Sequence, residues 1–240
     1  MTEIKLPFVV SDLSGAKSSE VDLASGNPLQ NTDKWREQRL HHFTSSELSK
    51  LLTKSKSGEG LSKTAETYIF DKVAEELTNG TCLDYTQVET KETRWGHDFE
   101  PAAREAYEER MGVKVELCGF IEYTAAFGGS PDGLVGLDGG VEIKCPYNSA
   151  VHARYLLMKS PADLKAIRPE YYAQIQGNLL VTSRKWFDFV SYDPRIENPA
   201  LALKVLRITR DDQMIADILV ALDRATEYRK KLINDILKIN

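Results

Sequence analysis

Apolar residues recur along this chain with two periods, and the points where the period changes mark its elements. Ala65, Ile69, Val73 and Leu77 fall every four residues, the spacing of one face of a helix running from Ser62 to Thr78, and Asn79-Gly80 supplies the stop. Trp95, Phe99, Ala103 and Tyr107 draw a second helical stripe that ends at Met111-Gly112. Pro101 lies inside that stripe, where it removes a helical donor and restricts Glu100 before it, so a kink or a fresh start is expected there. Val151, Tyr155 and Met158 read as helical. Pro169 suits the first position of a helix carrying Tyr172, Ile175, Leu179 and Leu180, and Ile215, Ile218, Leu222 and Ala225 stripe a terminal helix over Asp211 to Leu237.

Nearer the start, Thr32-Asp33 caps a short helix that carries Trp35 and Arg39 on one face. Thr44-Ser45-Ser46-Glu47 has the spacing of a capping box opening a helix with Leu48, Leu51 and Leu52 on its apolar side. The alternating period of strands appears at Val113 to Leu117, Phe120 to Phe127, Val141 to Cys145, Trp186 to Tyr192 and Leu201 to Ile208. Residues 1–31 hold one short apolar run, Leu6 to Val10, within a Ser, Gly, Asp and Asn-rich stretch, and read as an arm or a partly disordered lead-in. The order of elements predicts one domain over 32–240 of α/β (α+β) class, a mixed central β-sheet flanked by helices, with its acids at strand ends.

A length of 240 residues allows a sizeable core without staples, and the three cysteines, Cys82, Cys118 and Cys145, have no metal-ligand spacing. They read as reduced thiols of a cytoplasmic protein, and no membrane-spanning run or leader pattern is present. A formal net charge of −5 argues against indiscriminate coating of DNA, which depends on phosphate neutralisation by Lys and Arg. A local basic lining remains open: Lys50, Lys54, Lys56 and Lys63 form one strip, and Arg154, Lys159, Lys165 and Arg168 another, each equally well a solvated face.

The candidate chemistry lies in Ser130 to Pro146, SPDGLVGLDGGVEIKCP. As a strand, Val141 to Cys145 sends Val141, Ile143 and Cys145 to one face and Glu142 and Lys144 to the other. Asp138-Gly139-Gly140 is a turn signal, so Leu134-Val135 can pair with Val141–Ile143 and bring Asp132 towards Glu142. Two converging carboxylates repel unless a cation lies between them, and hard oxygen ligands suit Mg²⁺ or Mn²⁺. Beside such an ion, Lys144 can orient an attacking water and offset charge on a phosphate. An amphipathic hairpin with a solvated Glu and Lys face fits the same spacing.

Pro131-Asp132 followed by Glu142-Ile143-Lys144 resembles the PD-(D/E)xK nuclease signature, and SPDGL with VEIKCP resembles the lambda-type phage exonuclease, or YqaJ-like viral recombinase, family. The resemblance extends in order through WREQR (Trp35 to Arg39), TSSE (Thr44 to Glu47), WGHDFE (Trp95 to Glu100), YAQIQ (Tyr172 to Gln176) and YDPR (Tyr192 to Arg195). It implies a restriction-endonuclease-like fold and a Mg²⁺-dependent exonuclease, with Mn²⁺ able to substitute. Such an enzyme degrades one strand of duplex DNA 5′ to 3′ to 5′-mononucleotides and leaves a 3′ overhang for recombination.

On the matching positions, Asp132, Glu142 and the Ile143 carbonyl would hold the metal, Lys144 the water, and Glu100 and Gln174 would support the metal or the scissile region. Trp35, Arg39, Ser46 and Ser130 would bind the 5′-phosphate. The position matching Ala150 carries an arginine in the lambda-type pattern; Arg154, one helical turn on, is the expected substitute. The resemblance also implies a ring-shaped trimer around DNA and a single-strand annealing protein as partner. An endonuclease or junction resolvase, and a non-catalytic DNA-end-binding protein, are the alternatives on the same fold.

Overall fold

In this computed structural model the described residues are 30, 32–56, 58, 60–85 and 90–239. The expected N-terminal arm lies outside them apart from Gln30. In chain order come α1 (Asp33–Arg39), β1 (Phe43–Thr44), a 3₁₀ turn (Ser45–Glu47), α2 (Leu48–Leu52), α3 (Lys63–Leu77), a second 3₁₀ turn (Thr81–Tyr85) and α4 (Lys91–Met111). Then follow β2 (Val115–Glu116), β3 (Ile121–Thr124), β4 (Phe127–Gly129), β5 (Gly133–Val135), β6 (Gly139–Lys144), α5 (Ser149–Leu156), α6 (Pro161–Ile167) and α7 (Pro169–Thr182). The chain closes with β7 (Trp186–Tyr192), α8 (Pro199–Ala202), β8 (Leu203–Thr209) and α9 (Asp212–Leu237).

Five strands in the order β2-β5-β6-β7-β8 form the main sheet, and β1-β4-β3 form a smaller one. The main sheet is mixed, because β6 and β7 run parallel while the other neighbours are antiparallel. Crossing from β6 to a parallel β7 requires a long connection, which α5, α6 and α7 supply. Alternation along β7 decides the two layers. Phe187 and Phe189 join Leu206, Ile208 and the apolar faces of α2, α3, α7 and α9, whereas Val190 joins Val141, Ile143, Cys145 and α4. Both faces of β6 are therefore covered, and Glu142, set beside Phe189 in the register, faces the α7 side.

Most element bounds follow the sequence pattern closely. Ser62 caps α3 by accepting from the Ala65 N–H, and Gly112 (φ 64°) ends α4 in the left-handed region that glycine favours. Four readings are corrected. Helix α4 is continuous through Pro101 rather than restarting there, since the missing N–H interrupts only one link of a long hydrogen-bonded run. The stretch from Phe120 to Phe127 is two strands, broken where the Ala126 N–H turns back to Thr124 Oγ1. Thr44 does not cap a helix: it enters the 3₁₀ turn without a side-chain cap, its Oγ1 lies 3.2 Å from Ser46 Oγ, and its N–H donates to Tyr68 Oη. The last strand begins at Leu203, because Asn198 caps the short α8 over the two residues expected to open it.

The turn between α1 and β1 is fixed from outside. His41 adopts φ 67°, its N–H donates to Glu75 Oε2 at 3.2 Å, and its carbonyl accepts from Arg229 Nη1. Glu75 in turn takes Lys72 Nζ on both oxygens, at 2.7 and 2.9 Å, with both side chains almost wholly buried. Glu75→Ala leaves the Lys72 ammonium and the His41 amide unpaired. The expected loss is about 3–5 kcal/mol of unfolding free energy, measured by chemical denaturation; a change below about 1 kcal/mol would mean that the pair is dispensable.

Candidate active site

The hairpin that carries the acids ends abruptly. Gly133 pairs with Val141 in the β5–β6 ladder, so the same register carried two residues further sets Pro131 opposite Ile143. Proline has no N–H, and no ladder bond can form to the Ile143 carbonyl there. The Ile143 N–H instead donates to Asp132 Oδ2 at 2.6 Å. Both main-chain groups of one strand residue project to the same side, so the freed carbonyl lies on the Asp132 side of β6.

Glu142 has no exposed surface; Lys144 Nζ donates to its Oε1 at 2.6 Å and Asn178 Nδ2 to its Oε2 at 3.0 Å. Burial and the Asp132 charge push its pKa up to about 8 despite Lys144. Glu100, on α4, is pushed up to about 7 by burial and then by Asp132, and its partner Arg104 is 3.7 Å away. Burial also raises Asp132, against the pull of Lys144 and the Ile143 amide. For Lys144, burial opposes the charge but Glu142 and Asp132 outweigh it, so the ammonium is held above the ordinary lysine range. Its Nζ also lies 4.9 Å from the Tyr171 ring centroid. The solvated-hairpin reading is excluded by the complete burial of Glu142.

Glu100, Asp132, Ile143, Lys144 and Tyr171 line a cavity of about 830 Å³ together with Trp35, Arg39, Ser46, Ser130 and Gln174, and Glu142 lies buried behind that wall. On that wall Ser130 Oγ accepts from Trp35 Nε1 at 2.9 Å and Arg39 Nη1 at 3.1 Å, and the Arg39 guanidinium lies 4.3 Å from the Trp35 ring centroid. Burial lowers the Arg39 pKa, and among the described residues no carboxylate lies within ion-pair distance of it. A half-buried cation whose partners are a hydroxyl and an aromatic face retains donors for an anion. Gln174 faces the cavity while Gln176 is buried, donating to the Thr209 carbonyl and accepting from the Asp211 N–H.

Arg154 is the site residue that the structure places elsewhere. It shares a helical face with Ala150 as expected, but both are exposed and neither lines the cavity; Val151 and Tyr155 present that surface of α5 instead. The reason is packing, since buried His152, bonded to Ser191 Oγ and the Leu201 carbonyl, fixes the rotation of α5 on β7. Arg168 supplies the cation on the cavity wall near Tyr155, donating to the Tyr155 hydroxyl at 2.7 Å and lying 4.1 Å from the Tyr171 ring centroid. The sequence offered it only as one member of a basic strip. Asn178 and Tyr147 were also missed, and a polar residue within the apolar run of α7 is the signal that could have found Asn178.

Among the described residues no three His, Cys, Asp or Glu side chains form a group able to hold a metal, and Glu100 stands within the field of Asp132. The donors that fit a hard divalent ion are Asp132, Glu142 and the Ile143 carbonyl, all oxygen. Burial holds both carboxylates at raised pKa values, as expected where positive charge is short.

A family model described as the YqaJ-like viral recombinase domain matches residues 34–185. The chain belongs to this family. Two crystal structures of the alkaline exonuclease LHK-Exo from Laribacter hongkongensis, one in complex with dAMP, are 31% identical to it, with TM-scores of 0.72 and 0.73. Each alignment covers 86% of this chain and 97% of that one. A phage-related exonuclease from Haemophilus somnus, 16% identical over 84% of this chain and 99% of its own, shares the fold at a TM-score of 0.68. No curated protein matches the chain. The YqaJ-like protein is thus a deoxyribonuclease with a PD-(D/E)xK-like α/β fold, from a family of exonucleases that serve recombination. Among the described residues no helix is long and apolar enough to cross a membrane.

The acidities carry a pH dependence for the chelated protein. Glu142 and Glu100 have folded pKa values above those of the unfolded chain, so between about pH 4.5 and 8 the folded state binds more protons and loses stability as pH rises. Scanning calorimetry in chelator should show Tm falling over this window, with a shallower fall in Glu142→Gln. Mg²⁺ should raise Tm more at pH 8 than at pH 5. Equal slopes for wild type and variant would contradict the buried-acid reading.

Proposed function

We propose that this YqaJ-like protein is a Mg²⁺-dependent exonuclease, with Mn²⁺ as a substitute, that degrades one strand of linear duplex DNA 5′ to 3′. Its products are 5′-mononucleotides and a 3′ overhang for single-strand annealing. The observation that carries this reading is one cavity with two unlike walls. Asp132 and Lys144 lie on one, with Glu142 buried directly behind them, and the Arg39, Ser130 and Trp35 group, with donors to spare for a terminal phosphate, lies on the other. An enzyme that cut at internal sites would have no use for an end-phosphate grip beside its reacting centre. The dAMP bound by the 31% identical exonuclease agrees with a mononucleotide product.

Asp132, Glu142 and the Ile143 carbonyl would hold the ion, which when bound polarises the scissile phosphate and lowers the pKa of an attacking water. Lys144 Nζ, hydrogen-bonded to Glu142, orients that water and offsets charge on the phosphoryl oxygens. Gln174 supports the scissile region from α7, and Glu100 shapes the field at Asp132. Arg39 grips the 5′-phosphate, with Ser130 and Trp35 holding its guanidinium in place and the exposed Ser46 hydroxyl adding a donor. The domain unit is 32–240: beyond the family match, β8 completes the main sheet and α9 packs into its core. A ring-shaped homotrimer threading DNA and a single-strand annealing partner complete the proposal, with the cytoplasm, a bacterial host's if the source is a phage, as the place of action.

A digestion panel of linear duplexes with 5′-phosphate or 5′-hydroxyl ends and a covalently closed circle, each with Mg²⁺ or chelator, tests the activity. Mononucleotides from the phosphorylated duplex in Mg²⁺ alone are expected, and cleavage of the closed circle would overturn the exonuclease reading. Lys144→Ala should abolish turnover, by roughly 10²-fold or more, while leaving end binding intact; near wild-type rates at neutral pH would remove Lys144 from catalysis. Arg39→Ala should cut the rate preference for phosphorylated over hydroxyl ends by roughly tenfold or more, the worth of one charge-assisted contact. Arg154→Ala should leave that ratio unchanged, and a fall equal to that of Arg39→Ala would return Arg154 to the phosphate site.

A further inference from the structure

Asn178 stands on α7 one turn beyond Gln174, with none of its surface exposed, and no sequence motif marks it. Its Nδ2 donates to Glu142 Oε2 at 3.0 Å while Lys144 Nζ holds Oε1 at 2.6 Å, so each carboxylate oxygen of Glu142 faces one donor. Two glycines clear the room for this contact. A Cβ on Gly129 would lie 2.7 Å from Asn178 Oδ1, and one on Gly177 would lie 2.5 Å from Leu48 Cδ1, pushing α7 off the elements beneath it. Asn178 Oδ1 is buried and has no hydrogen-bond partner among the described residues. A leucine, branched at the same atom, would occupy this position without an unpaired acceptor. What the amide supplies that leucine cannot is the N–H on Glu142.

We propose that Asn178 is a positioning residue for metal binding: it fixes the rotamer of Glu142, so that the carboxylate meets the ion already oriented. The inference rests on Glu142 being a ligand, as argued above. Lys144 alone leaves Oε2 free to rotate away within its pocket. The amide, anchored in the rigid middle of a buried helix, removes that freedom before any ion arrives. Asn178 touches neither water nor phosphate, so its loss is expected to show as weakened metal binding rather than as lost chemistry.

The test is a calorimetric Mg²⁺ titration of the DNA-free protein, repeated for Asn178→Leu, Asn178→Ser and Glu142→Gln. Both Asn178 variants should bind Mg²⁺ roughly 10- to 100-fold more weakly, the usual effect of removing a group that orients a metal ligand. At saturating Mg²⁺, Asn178→Leu should regain most of the wild-type kcat, and its preference for 5′-phosphorylated ends should be unchanged. A merely structural role would lower Tm without moving the Mg²⁺ midpoint. A wild-type Mg²⁺ affinity in folded Asn178→Leu overturns the proposal. If that variant does not fold, the same result in Asn178→Ser, whose hydroxyl is too short to reach Glu142, overturns it equally. Unchanged Mg²⁺ binding in Glu142→Gln would instead remove Glu142 from the ligand set, a separate failure of the metal-site reading.

Discussion

A carboxylate sealed from water is tolerable only when each oxygen faces a donor, and Glu142 is sealed completely beneath α7. Lys144 and Asn178 supply one donor each, yet Asp132 and Glu100 add negative charge nearby, and the balance leaves Glu142 reluctant to ionise until a cation arrives. Much of the surrounding architecture serves this one constraint. β6 lies in the middle of the sheet, which both layers bury; α7 must come close, which Gly177 permits; and β5 must stop at Gly133, which Pro131 enforces. The proposed metal site would thus be formed by the core rather than by loops, with a geometry as rigid as the packing of Phe187 and Phe189 beneath α7.

The opposite wall of the cavity obeys the complementary constraint. Arg39 is half buried, with no carboxylate within ion-pair distance among the described residues, and it is held by Ser130 from the same segment that carries Asp132. Ser130 and Asp132 are two residues apart, so the proposed anion grip and metal ligands would be coupled through one short stretch of backbone. The other anchor of Arg39 is the turn at His41, which Glu75 and Arg229 hold from α3 and α9. On the proposed function, placing a terminal phosphate would therefore depend on two helices outside the cavity wall.

What was legible in the sequence is what local rules decide. The alternation of Val141 to Cys145 and the four-residue stripe of α3 follow from the residues themselves, and the motif brought Asp132 to the strand of Glu142, where it accepts from the Ile143 N–H. What was not legible depends on packing between distant segments. Thr44 has the composition of a helix cap, but Tyr68 takes its N–H and Ser46 its hydroxyl. The break between β3 and β4 is made by Thr124 without a glycine or proline to announce it. Arg154 and Arg168 are indistinguishable as charges in a strip; only the docking of His152 against Ser191 turns the first to solvent and leaves the second in the cavity.

The acidic balance of the chain, a formal −5, looks at odds with a DNA substrate until the charge is placed. Along the cavity, Glu92, Glu100 and Asp132 meet Lys144, Arg39 and Arg168, so the basic side chains alone leave no surplus to attract a polyanion. On the proposed function, a divalent ion at the carboxylates would tip that balance to positive, and their raised pKa values mean that the same event would discharge protons from the site. DNA attraction at this centre would then be conditional on the metal, in contrast to a protein whose affinity comes from a permanent basic surface. Such a condition would tie productive binding to a loaded centre, and it would make an acidic net charge compatible with the proposed nuclease that engages only the end of its substrate.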